Sequence, residues 1–158
     1  MFTDKIKDAA VWNTIAHYNQ NLSRKKFEIA APEKLFDNMQ LRFSIDYMDI
    51  YEGYAVVGGW AILDGVASEN QETLLLAYDD TGCNIYYRTA RAARQDIGDW
   101  LGGAYTMSGF SAELVTEGFM GEYFYVDVLI KVDGKVFRTA ETTCCNLKNK
   151  TRTRVMRE

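Results

Sequence analysis

The stretch that most constrains the fold is residues 53–64, from Gly53 through Trp60 to Asp64, a nearly charge-free run. Read as a strand, it points Tyr54, Val56, Trp60 and Ile62 to one side and Ala55, Val57, Ala61 and Leu63 to the other. Both sides are apolar, so the spacing predicts a central strand covered on two faces, with the Trp60 indole packed in the core between two stacked sheets. Gly58 and Gly59 remove two side chains just before that indole. Such a pair suits a bulge or a close approach of a neighbouring backbone.

The flanking periodicity agrees with a β protein. Leu41, Phe43, Ile45 and Tyr47 alternate with polar residues, and the phase slips at Tyr47 and Met48, where a bend or strand end is expected. Residues 72–79 read as a strand, and Asp79, Asp80, Thr81 and Gly82 as the turn that pairs it with residues 83–89. Residues 90–100 read as a loop with a short helical turn, and residues 110–115 as a strand that brings Phe110 into the core. In residues 123–132, Phe124, Val126, Val128, Ile130 and Val132 share one face, opposite Tyr125, Asp127 and Lys131. Asp133 and Gly134 form the best short hairpin turn, and residues 135–143 return as the partner strand. Many short strands joined by turns predict a mainly β protein, an antiparallel β-sandwich with an N-terminal helical extension.

The expected organisation is an N-terminal helix and connection over residues 1–38, a sandwich domain over 39–145 and a basic tail over 146–158. Val11, Ile15, Tyr18 and Leu22 make an apolar stripe on a helix over residues 3–22. Pro32 is placed to open a short helix through Leu35 and Phe36. The tail holds Lys148, Lys150, Arg152, Arg154 and Arg157, and reads as a solvated end or a weak phosphate or polymer contact.

Composition narrows the chemistry. The net charge is -4 in 158 residues, so no global field draws in nucleic acid. No run is long and apolar enough for a membrane span or a signal peptide, which points to a cytoplasmic protein. Cys83, Cys144 and Cys145 show no pairing pattern and His17 is the only histidine, which argues against a zinc site. No nucleophile elbow, phosphate-binding loop or dinucleotide fingerprint occurs, so neither a catalytic residue nor a cofactor is assigned. Asp79 and Asp80 read as turn formers. Asp46, Asp49, Glu52 and Asp64 bracket the central strand without EF-hand spacing.

Two groupings remain as contact surfaces. Arg94 and Asp96, near Trp100 and Tyr105, could line a sugar-binding rim, with the guanidinium holding hydroxyl or carboxylate groups and an aromatic face stacking on the sugar. The alternative is local: Asp96 caps the turn over residues 97–100 and Arg94 braces backbone carbonyls. Tyr123 and Tyr125 would share a strand face, placed to meet Tyr86, that either binds a partner or lies covered.

The order of Gly59, Trp60 and Ala61, then Arg94, Gln95, Asp96 and Ile97, then Ser108, Gly109, Phe110 and Ser111, then a final hairpin, resembles the immunoglobulin-like modules attached to bacterial cell-surface-polymer glycosyltransferases. Ile97 stands where valine is usual in that pattern. The resemblance spans about residues 40–143 and implies that the antiparallel β-sandwich is immunoglobulin-like and serves as a non-catalytic accessory module, with a surface glycan or the glycosyltransferase as partner. The alternative is an interaction protein that docks a partner, or a second copy as a homo-oligomer, through the N-terminal helix or the tyrosine face.

Overall fold

The computed structural model describes residues 27–157, so the predicted helix over residues 3–22 and His17 lie outside the described residues. The described chain is mainly β and forms two sheets, one of four strands and one of eight. The four-stranded sheet has the order β3 (Leu41–Tyr51), β4 (Tyr54–Leu63), β8 (Gly109–Val115) and β7 (Ala90–Ala92), and is antiparallel throughout. The central strand is thus β4, with a partner on each edge, as its two apolar faces predict. The phase slip is a bulge: the β3–β4 register shifts between Ile45 and Tyr47, leaving Asp46 as the extra residue. Gly58 and Gly59 face that bulge. A Cβ on Gly59 would overlap the Ser44 carbonyl oxygen, and one on Gly58 would overlap the Tyr47 ring.

In the eight-stranded sheet, β9 (Tyr123–Val132) pairs along one edge with β5 (Glu72–Tyr78), followed by β6 (Asn84–Arg88) and the two-residue β1 (Glu28–Ile29). The return strand after Asp133 and Gly134 is split in two. β10 (Lys135–Arg138) pairs with residues 129–132 of β9 and β11 (Glu141–Asn146) with residues 123–126. Asp133 and Gly134 both have positive φ, 51° and 79°, as a tight hairpin turn of matching twist requires.

Three segments depart from expectation. Leu35–Asp37 is a strand, β2, and not a helix opened by Pro32; it runs parallel to β10, and Phe36 packs on Phe137 with centroids 5.9 Å apart. Residues 90–92, expected in a loop, form the edge strand β7. The basic end is no frayed tail, because Thr151–Met156 forms β12, paired with β11 over six residues. Its alternation of Thr151, Thr153 and Val155 with Arg152, Arg154 and Met156 is a strand pattern that the count of positive charges masks. The eight-stranded sheet therefore draws strands from both sides of the 39–145 span.

The two sheets enclose one core. From the four-stranded sheet come Leu41, Phe43, Ala55, Val57, Ala61, Leu63, Phe110 and Leu114, and from the other Leu75, Tyr87, Phe124, Val126, Val128 and Ile130. Phe110 takes its predicted core place. Trp60 does not: it is only 8% exposed, but it sits on the outer face of β4 in a separate cluster with Ile62 and Ile97. The indole is therefore buried beneath a helix and not between the sheets. Cys144 and Cys145 face opposite ways, and Cys145 joins the core, where burial pushes its thiol up to about 12. All three cysteines are free. Among the described residues no helix is long and apolar enough to cross a membrane.

Candidate functional site

The predicted rim residues lie where a short helix caps the outer face of β4. This helix, α1 (Gln95–Leu101), begins directly after Arg94, whose carbonyl accepts hydrogen bonds from the Ile97 and Gly98 N–H groups. Ile97 and Leu101 turn down onto Trp60 and Ile62, with Tyr105 beside them from the following 3-10 turn, Gly103–Tyr105. Gly98 lets the helix lie close to the next segment, because a Cβ there would overlap the Thr106 hydroxyl. The Arg94 N–H donates to the Thr106 carbonyl at 2.7 Å, closing the α1 loop at its base.

Arg94 and Asp96 are brought together, but on each other. The Arg94 guanidinium donates Nε–H to Asp96 Oδ1 at 2.9 Å and Nη2–H to Asp96 Oδ2 at 2.7 Å, a two-pronged pair. Its remaining nitrogen, Nη1, donates to Asp46 Oδ2 at 2.5 Å. The bulge residue of β3 is thereby tied to the start of α1 across the sheet. The hydrogen bonds from Arg94 hold the Asp96 carboxyl below its ordinary range, and those to Asp96 and Asp46 push the Arg94 guanidinium up. Neither sequence reading described this arrangement fully. Arg94 braces carboxylates and not backbone carbonyls, and no side chain caps α1 at its first residue. Three residues earlier, Arg91 does brace a carbonyl, donating to Gln71 O.

Tyr105 is also engaged internally, its hydroxyl accepting the Gly65 N–H at 3.0 Å. Trp100 differs from the other three. Its ring meets Trp60 edge to face at 5.9 Å, yet the residue is 65% exposed. The other side of Trp60 lines an open groove of about 420 Å³, floored by Leu41 and Phe43 and flanked by Met39, Met156, Arg154 and Glu141. The two indoles thus connect an exposed aromatic ring to an apolar groove.

The basic strand β12 closes that side of the sandwich. Arg154 Nη1 donates to Phe43 O at 3.0 Å and its guanidinium lies 4.0 Å over the Phe43 ring, while also pairing with Glu141. Arg152 Nη2 reaches Asp46 O at 3.2 Å. Two arginines of one sheet therefore satisfy carbonyls on the open edge of β3 in the other, which protects an edge that would otherwise template another strand.

The remaining sequence candidates resolve structurally. The Asp79 carboxylate accepts from the Thr81 hydroxyl at 2.7 Å, the Thr81 N–H at 2.9 Å and the Met120 N–H at 2.9 Å. These bonds, the one from Met120 first, hold its carboxyl down, and it organises a turn as expected. Asp64 pairs with Arg42 and Asp46 with Arg94. No three His, Cys, Asp or Glu residues among those described stand close enough to hold a metal ion. Tyr125 stacks at 5.2 Å on Tyr78, its register partner, and not on Tyr86, which lies opposite Leu76. The chain matches no protein-family model, no curated protein and no solved structure.

Proposed function

We propose that this protein is a non-catalytic binding or accessory module with an immunoglobulin-like sandwich and an N-terminal helix, contacting a bacterial surface glycan or the enzyme that makes it. The observation that carries the reading is Trp100. A tryptophan exposed over most of its ring, held edge-on by a buried second indole, is a rigid platform for the C–H face of a sugar. The groove beside Trp60 extends the contact. Arg94, Asp96 and Tyr105 keep this platform in place, because their polar groups are bound within the protein. The test is NMR titration with a panel of cell-wall and capsule sugars, reading the Trp100 indole N–H. Saturable shifts that Trp100→Ala removes support the reading. A panel without a single shift eliminates the glycan contact.

A second reading, docking of a protein partner or a second copy, is favoured by Met39 and Met156, two exposed and adaptable side chains flanking the same groove. It predicts association by light scattering at high concentration. Truncation to test the N-terminal helix should stop before Phe27, because β1 and β2 belong to the sheet.

A further inference from the structure

On the outer face of the eight-stranded sheet, two guanidinium groups converge without acceptors to match them. Arg138 and Arg157 both line a cavity of about 320 Å³, together with Asp37, Asn38 and Thr139. The Nε atom of each arginine is buried and has no hydrogen-bond partner among the described residues. Arg138 donates no hydrogen bond to any described residue; its nearest carboxylate oxygen, on Asp37, is 3.6 Å away. Arg157 gives one nitrogen to Thr139 O, and another lies 3.7 Å from Asp127 Oδ2. A buried guanidinium nitrogen left without an acceptor is costly, and such a cost points to a missing partner.

The charge count gives the sign of that partner. The titratable groups around the two arginines are Asp37, Asp127, Tyr78 and Tyr86. The Asp37 side chain is 84% exposed, so its pairing is screened and it is free to swing away. Asp127 is buried; its Oδ1 accepts the Tyr78 hydroxyl at 3.2 Å, and its Oδ2, also without a hydrogen-bond partner among the described residues, is a buried acceptor beside Arg157. Two fixed positive charges face one fixed carboxylate. The Asn38 Oδ1 accepts the Gln40 N–H at 2.8 Å, which leaves the amide nitrogen of that side chain as a further donor. Among the described residues the site holds more donors than acceptors, and once Asp37 turns to solvent it carries one unmatched positive charge.

We propose that Arg138 and Arg157 form a binding site for an oxoanion, a phosphate or carboxylate group that bridges the two guanidinium forks. The site is separate from Trp100 and does not depend on the glycan reading. It is tested with the full chain, labelled at arginine Nε, titrated with inorganic phosphate, dimethyl phosphate and glucuronate at constant ionic strength in chloride. Saturable shifts of the Arg138 and Arg157 Nε–H resonances with any of the three support the site. A response to dimethyl phosphate identifies a phosphodiester, to glucuronate a uronic acid, and to inorganic phosphate alone a free phosphate. Arg138→Gln should weaken binding about tenfold, since a charge-assisted hydrogen bond is lost. It should melt no lower than the wild type, because the native side chain donates no hydrogen bond to any described residue and its buried Nε is without an acceptor. Arg138→Lys, which keeps the charge and loses the fork, should fall between. The double variant Lys148→Gln and Lys150→Gln should bind as the wild type does. No saturable shift in the wild-type protein, or an equal shift from chloride alone, overturns the proposal.

Discussion

The two faces of β4 are about equally apolar in sequence and do different work. The inner face presents Ala55, Val57, Ala61 and Leu63 to the inter-sheet core, where Phe43, Phe110 and Phe124 supply the bulk. The outer face presents Trp60 and Ile62 to a single seven-residue helix. Side-chain volume sorts the two. A sheet-to-sheet gap of roughly 10 Å is filled from both sides, so large rings on one strand require small residues on its neighbours. An indole fits better under a thin cover that adjusts to it. Burial on both faces is thus readable from a two-sided apolar run, but the identity of each neighbour is not.

The largest effect should come from the inner face. Phe110→Ala removes a ring 2% exposed within the shared core and is expected to cost about 3–5 kcal/mol. Urea unfolding should report it as one cooperative loss, with probes in both sheets moving together. Trp60→Ala should cost about 3 kcal/mol, at the low end of the range for a large ring, because a surface helix can settle into the space. Its signature should be local: amide protection over residues 95–101 should fall before protection in β9. Equal loss of protection in both segments would erase the distinction between the faces.

The elements that were legible in the sequence are those fixed by local rules. The slip in alternation at Tyr47 and Met48 marks the irregularity, although it reads as a bend or strand end where β3 instead continues to Tyr51 through a bulge at Asp46; Gly58 and Gly59 are legible as room for a bulge, and Asp133 and Gly134 as a dipeptide suited to positive φ. Pairings between distant residues were not legible. Arg94 reads as acting near its own loop, yet its second carboxylate partner is Asp46, 48 residues earlier. β12 was hidden because its arginines suggested solvent, whereas they reach carbonyls on β3. Trp60 as the buried ring and Trp100 as the exposed one were legible from their segments, but that α1 and not the second sheet covers Trp60 was not.

Charge holds the outer cover and plays little part in the inner core, which sharpens the comparison. Arg94→Met should cost about 1 kcal/mol, since its pairs are partly exposed and screened. Acid should act on the same contact. The folded-state pKa of Asp96 lies below its unfolded value, so its contribution is complete above the unfolded pKa and is lost as pH falls through the folded one. Hydrogen exchange at acid pH should therefore show residues 95–101 loosening while the inner core stays protected. Asp96→Asn should make that segment insensitive to pH in this range; if it loosens identically in the variant, the Arg94 pair is not what fastens it.

The smallest effect on stability should come from Trp100→Ala. Its ring touches Trp60 only at an edge and is otherwise open to water, so little apolar area returns to solvent when it is removed. A change within about 0.5 kcal/mol is expected by urea denaturation. Trp60 and Trp100 are the same residue type in mutual contact, so the ratio of their two costs measures what coverage by α1 contributes. A protein spared the cost of removing Trp100 but losing its sugar response would separate a contact residue on α1 from the packing residue it covers on β4. A large loss of stability from Trp100→Ala would instead make that ring part of the cover, and the exposed platform would lose its standing as a binding surface.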